Sequence, residues 1–172
     1  ERLTVYGLTR SQAVSTYGTL TGMAMPFVLF PSALVNSLAV VLLPSTARHQ
    51  SAGNTSGIAD GISMSFRYSI YLGIFCIGVF TVFGETLGLQ IFKSQDAGSF
   101  IQILAWLCPF LYLATSSGSI LNGLGRTKLT FFHHLVSLLV RIAFVWFGIP
   151  VFGIRSCLWG MLASEVLLAL LH

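Results

Sequence analysis

Five long apolar runs dominate this chain, near residues 20–43, 62–84, 100–122, 129–150 and 156–172. Crossing about 30 Å of hydrocarbon at about 1.5 Å per helical residue takes about 20 residues, so each run is of spanning length. Lipid offers no water to backbone N–H and C=O groups, which restricts spanning structures to helices and closed barrels. Runs this continuous lack the alternation of barrel strands. The expected fold is therefore all-α, a polytopic transmembrane helical bundle of about five spans, with the lipid bilayer as its solvent. Composition points the same way: 8% of residues are charged and 55% hydrophobic, where a soluble domain carries about 25% charged residues.

The separators have loop chemistry. Arg48, His49, Gln50, Ser51, Gly53 and Asn54 make one polar connection, and Lys93, Ser94, Gln95 and Asp96 the next. Gly123, Gly125, Arg126 and Lys128 form a tight third turn, and Pro150, Gly153 and Arg155 a fourth. Cytoplasmic loops are enriched in Lys and Arg. Arg48, Arg67, Arg126 and Lys128 favour one side, Lys93 and Arg155 the other, and adding Arg2 and Arg10 to the second side brings the two to a tie. Orientation is left open by charge. No initiator Met precedes Glu1 and the last run stops at His172 without a polar tail, so both ends read as cut.

Several function classes fall away. Nine Lys and Arg against five acids give a net charge of +4, too scattered for the clustered basic stripe that binds a phosphate backbone, so no nucleic acid is expected. Cys76, Cys108 and Cys157 stand apart without CxxC spacing and read as small packing residues. His133 and His134 are adjacent, about 100° apart on a helix, and cannot share a metal face as an i, i+4 pair would. No metal or other cofactor is expected. No nucleophile and base, paired carboxylates or phosphate loop is present, so an enzyme is not expected. Asn54-Thr55-Ser56 matches a glycosylation sequon and is read as chance.

Within the spans, Pro26 and Pro31 each remove a helix hydrogen bond and clash with the preceding turn, so the first span should kink, either as a hinge or as a static bend, before ending at Pro44. Gly18 with Gly22, and Gly84 with Gly88, form GxxxG pairs that allow close helix packing. Asn36, Ser37, Asn122 and the stretch from Thr115 to Ser119 place hydrogen-bonding groups where they can join helices or line a wet cavity. Arg141 and Glu165 are the charges that lie well inside spans, and a charged residue at a helix centre costs about 2.5 to 3.5 kcal/mol on insertion scales. Arg141 lies eight positions before Ile149, and Glu165 nine after Ser156. On antiparallel neighbours both then sit about 12 to 14 Å below the same face. They are expected to pair, either locking the hairpin or forming part of a gate or substrate cavity.

Ordered motifs add a resemblance. Thr16 to Arg48 reads TYGTLTGMAMPFVLFPSALVNSLAVVLLPSTAR, with Tyr17-Gly18, Gly22 to Ala24 followed by Pro26, Phe30 to Ser32, and Leu42 to Pro44 in sequence. Leu107 to Thr127 reads LCPFLYLATSSGSILNGLGRT, and Val140 to Gly160 reads VRIAFVWFGIPVFGIRSCLWG. These patches resemble the stage V sporulation protein B family, the polysaccharide biosynthesis branch of the multidrug, oligosaccharidyl-lipid and polysaccharide flippase superfamily. The resemblance implies helices eight to twelve of a two-lobed protein, most of its C-terminal lobe, with the N-terminal lobe absent from this chain. Two departures stand out. Ser45, Thr46, Ala47 and Arg48 replace the family's acidic Ser-Glu-Ala type segment. The stretch from Tyr17 to Leu43 carries no charge, where the superfamily's lipid II flippases have a cavity arginine.

The resemblance implies a flippase of the bacterial plasma membrane that moves a lipid-linked oligosaccharide or cell-envelope polysaccharide precursor by alternating access, in a setting of spore cortex or peptidoglycan synthesis. Its partners would be a lipid-linked anionic sugar and the N-terminal lobe. Arg141, Glu165, Asn36 and Asn122 are the substrate or cavity candidates, and Pro26 and Pro31 the hinge candidates. Two other readings stand beside it. A cation-coupled multidrug exporter would use Glu165 as its carboxylate, although pairing with Arg141 would hold that acid ionised. A non-transporting membrane scaffold needs only the helix packing.

Overall fold

The computed structural model describes Gly7 and residues 9–172, so Arg2 of the loop-charge comparison lies outside the described residues. The described chain is helical, with no strand. The helices are α1 (Arg10–Leu29), α2 (Ser32–Ser51), α3 (Thr55–Phe92), α4 (Gln95–Ala105), α5 (Cys108–Gly123), α6 (Thr127–Phe152) and α7 (Ile154–Leu171). The structure is an all-α polytopic bundle. Three helices, α3, α6 and α7, are long and apolar enough to cross a membrane, and the count reaches five if the bent pairs α1–α2 and α4–α5 are each one span. The large side chains Phe131, Leu139, Phe147 and Val40 are exposed, as lipid-facing surface requires.

Prolines break the helices in two different ways. Between α1 and α2 the axis turns by 55° at Phe30 and Pro31. The ring nitrogen of Pro31 donates nothing, the Phe30 N–H turns back to the Phe27 carbonyl at 3.3 Å, and the Ser32 hydroxyl donates to Leu29 O at 2.6 Å. The bend is therefore internally satisfied. Pro26 is handled upstream by a π turn over Leu20–Ala24, in which Met25 N–H reaches Leu20 O. The same arrangement recurs in α6, where a π turn over Phe144–Gly148 precedes Pro150.

Several expectations need correcting. Pro44 does not end the first span: α2 runs through it to Ser51. Arg48, His49, Gln50 and Ser51 are thus helical, and the turn is confined to Ala52, Gly53 and Asn54. Asn54 then caps α3 by accepting from Gly57 N–H at 2.9 Å. The helix expected from 62 to 84 runs over 38 residues, about 57 Å at helical rise, and the polar segment before it and the apolar segment after it are both free of proline. The run from 100 to 122 is not continuous but bent by 51° at Trp106 and Leu107, where Leu107 N–H closes a tight turn on Leu104 O ahead of Pro109. Gln95 and Asp96 belong to α4, capped by the Ser94 hydroxyl accepting from Ala97 N–H at 3.3 Å.

α3 is the central strut. It packs on α4 and α5, while α2 lies across α5 and α3, and α7 fits between α5 and α6. Glycines set the closest approaches: a Cβ on Gly88 would fall into the backbone of Gly98, and one on Gly73 onto Pro109. Gly84 similarly faces Ile101 and Gln102. Gly18 and Gly22 form no such contact, since a Cβ on either meets nothing within 4 Å. The GxxxG expectation thus holds at Gly84 and Gly88 and fails at Gly18 and Gly22, because spacing does not reveal which face is covered. Gly22→Ala should change stability by less than about 0.5 kcal/mol, readable as an unshifted melting curve in detergent.

Candidate functional site

The α6–α7 hairpin carries the densest polar chemistry in the bundle. Gly153, with φ +62°, turns the chain between the helices, and Gly160 lets α7 approach Phe144. The carbonyl of Phe144, in the π turn where the ladder changes register, accepts from the Ser156 hydroxyl at 3.1 Å. One helical stretch further along, Arg141 Nη2 donates to Glu165 Oε1 at 2.7 Å, and Arg141 Nε donates to Ser164 Oγ at 3.1 Å. The Ser164 hydroxyl in turn donates to Met161 O at 2.8 Å, and Ser137 Oγ donates to Ser164 O at 2.8 Å. The expected pairing of Arg141 with Glu165 is thus present, and Ser164 and Ser137 tie it to the backbone of α7.

The pair is not sealed. Glu165 is buried, but the side chain of Arg141 is 35% exposed, and it borders a cavity of about 600 Å³. The cavity is walled by α5, α6 and α7, with Ala39 of α2 closing one edge. Its polar lining comprises Thr115, Ser119, Asn122, Thr130, His134, Ser137, Arg141 and Glu165. No group of three or more His, Cys, Asp or Glu among the described residues has an arrangement fit for a metal ion. The three cysteines are buried and free. Such a site can bind a polar, hydrogen-bonding head group beside a guanidinium.

The structure gathers some candidates and disperses others. Arg141, Glu165 and Asn122 share the cavity. Asn36 is exposed on α2 and does not line it. Pro26 and Pro31 lie on the α1–α2 bend, away from the cavity walls. The hydroxyls from Thr115 to Ser119 divide between both expected roles: Ser116 bonds Ser69 at 2.9 Å and Ser119 donates to Ala39 O at 2.6 Å, joining helices. Thr115 bonds its own helix at Leu111 O and lines the cavity. The sequence reading did not single out Ser164, Ser137 or Thr130, and it weighed His133 and His134 only as metal ligands. Their signal was present on α6, where Thr130, His134, Ser137 and Arg141 recur at spacings of three and four and so share one face.

Comparison with known proteins agrees with the motifs. The chain is 24% identical over 174 residues to stage V sporulation protein B of Bacillus subtilis (strain 168), covering 100% of this chain and 34% of that protein. It is 25% identical over 171 residues to sporulation protein YkvU of the same organism, covering 96% of this chain and 38% of that protein. The chain thus spans about a third of the length of these curated relatives. No family model and no solved structure matches it. Along its whole length the chain is similar to the sporulation proteins that its motifs resemble.

Proposed function

We propose that this chain is the cavity-bearing part of the C-terminal lobe of a two-lobed flippase, which carries a lipid-linked, anionic oligosaccharide or polysaccharide precursor across the bacterial plasma membrane during spore envelope synthesis. The observation that carries this reading is the cavity itself: a recess of about 600 Å³ with hydroxyl, amide and charged groups set among apolar ones, bordered by a partly exposed arginine, within a bundle whose outer surface is apolar. An ionisable group at depth in a membrane is costly unless it is paired or faces a wet path; Arg141 is paired with Glu165 and borders the cavity. Hydroxyls and amides suit a sugar head, and a guanidinium suits phosphate. The lipid tail would remain in the bilayer while the lobes alternate access. The names of the sporulation relatives supply the cellular setting.

Glu165 is a poor candidate for the carrier carboxylate of a drug exporter, because its Oε1 is already engaged by the Arg141 guanidinium at 2.7 Å. The test is reconstitution of the full-length protein in liposomes with a fluorescent polyprenyl pyrophosphate-linked oligosaccharide. Protein-dependent translocation is expected, reduced at least about tenfold by Arg141→Gln if one charge-assisted hydrogen bond to the head group is lost. Gel filtration would verify that the variant is folded. Translocation by the wild-type protein no faster than in protein-free vesicles would refute the flippase reading and leave the scaffold.

A further inference from the structure

A second recess, of about 830 Å³, lies where α6 turns into α7, at the end of both helices. Its walls include Phe144, Val151, Phe152, Arg155 and Trp159, and it shares no residue with the cavity beside Arg141. Arg155 is exposed and, unlike Arg141, makes no ion pair or side-chain hydrogen bond among the described residues. No acidic side chain lines the recess. No side chain caps the start of α7 either, so its first backbone N–H groups add to the positive potential around Arg155.

Trp159 is also a wall of a groove of about 570 Å³ between α7 and the α4–α5 bend, lined by Ile103, Trp106, Phe110, Leu158 and Leu162. The groove is apolar, and the polar groups at its edge are already used: the Gln102 amide donates to Thr81 O at 3.2 Å and the Thr81 hydroxyl to Ile77 O at 2.5 Å. Such a groove suits hydrocarbon. Arg155, Trp159 and Leu162 follow at spacings of four and three, so recess and groove lie along one face of α7. Arg155 is the second residue of α7, and Leu162 stands about 10 Å deeper at helical rise. One leaflet holds about 15 Å of hydrocarbon. A cation at the membrane face, above an apolar trough that stays within one leaflet, has the layout of a phospholipid. Trp159, about 6 Å below Arg155, sits at the level where tryptophan favours the interface. Trp106 and Trp159 are 56% and 59% exposed, so the groove opens on the bilayer. A further helix laid over it would have to bring a carboxylate to Arg155, whereas the bilayer supplies phosphate at that level.

We propose that an anionic diacyl phospholipid of the surrounding bilayer binds here, with its phosphate on the Arg155 guanidinium and one acyl chain in the groove between Trp106 and Trp159. Guanidinium and phosphate form charge-assisted hydrogen bonds. A zwitterionic lipid carries its own ammonium beside the phosphate, so its net attraction to Arg155 is weaker. The bound lipid bridges the α6–α7 hairpin and the α4–α5 bend, two parts of the bundle that meet along this groove. It is a ligand of the lobe rather than cargo, so the inference goes beyond the flippase reading and does not depend on it.

The experiment places the full-length protein in phosphatidylcholine nanodiscs with a trace of photoreactive lipid, either phosphatidylglycerol or phosphatidylcholine, each carrying a diazirine in one acyl chain. Cross-links are then mapped by peptide mass spectrometry. Phosphatidylglycerol is expected to label the segments holding Trp106, Phe110 and Trp159 about fivefold more than phosphatidylcholine, the effect of one interfacial cation on an anionic head group. Both probes should label Leu139, exposed on the outer face of α6, equally. Arg155→Gln should remove the preference at the groove, and Arg155→Lys should keep most of it; at an exposed position neither change endangers the fold. Equal labelling of the groove by the two probes, or a preference that survives Arg155→Gln, would overturn the proposal. Labelling of Leu139 with none in the groove would show that another helix covers it and would overturn the proposal as well. None of these outcomes bears on translocation, so the flippase reading stands or falls separately.

Discussion

Glu165→Ala should destabilise the bundle by about 2 to 3 kcal/mol, and Arg141→Glu by more, because each leaves a charge within the membrane without its partner. Breaking a fully buried ion pair costs about 3 to 5 kcal/mol. The side chain of Arg141 is 35% exposed to the cavity, where water can reach it, and solvent screening reduces the cost toward the lower figure. Arg141→Glu is the more damaging change, since it sets two carboxylates against each other where the 2.7 Å contact stood. Combining it with Glu165→Arg restores opposite charges and should recover most of the lost stability. Recovery need not be complete, because Ser164 Oγ now accepts from the arginine Nε and would face a carboxylate instead. Chemical unfolding of the full-length protein in detergent, for both single changes and the double change, gives the coupling directly. A double variant as unstable as the worse single variant would show that the pair does not hold α6 to α7.

Gly88→Leu should be still more disruptive, at about 3 kcal/mol or beyond. The backbone of Gly98 occupies the position a Cβ would need, and backbone cannot rotate aside as a flexible side chain can. α3 and α4 would have to separate along the seam that also holds Gly84 against Ile101, and the Gln102 Nε2–H bond to Thr81 O at 3.2 Å would open with it. In lipid no hydrophobic force compensates for the lost fit, because the tails are as apolar as the helix faces. Gly22→Leu is the control, since Gly22 faces open space. Equal melting temperatures for Gly88→Leu and the wild-type protein would contradict the packing described.

The apolar runs made the helical class legible because a span needs nothing but length and hydrophobicity. The Arg141–Glu165 contact was legible for a stronger reason: a short turn forces antiparallel neighbours, and equal distances from that turn set equal depth. The same register brings His133 and His134 to His172, yet no local motif joins residues that far apart, and the adjacency of the first two histidines argued only against a metal. Pro44 and Pro109 show the limit of reading prolines singly. One passes through the interior of α2 without ending it, while the other follows a 51° break and sits in the first turn of α5, where its missing N–H costs no helix bond. Gly73, which meets Pro109, follows Ser65 and Ser69 at spacings of four, a series of small residues that glycine pairs alone do not reveal.

The central claim is that the recess beside Arg141 is wet while more exposed positions on the outer face of α6 face lipid. Substituted-cysteine labelling of the full-length protein in intact membranes, with Cys76, Cys108 and Cys157 replaced by alanine, measures this directly. A charged, water-borne thiol reagent should label Thr115→Cys and Asn122→Cys in the cavity and leave Phe131→Cys and Leu139→Cys, both exposed on α6, unlabelled. Undecaprenyl pyrophosphate should protect the cavity positions. Labelling of the α6 outer face with silence at Thr115→Cys and Asn122→Cys would contradict the account.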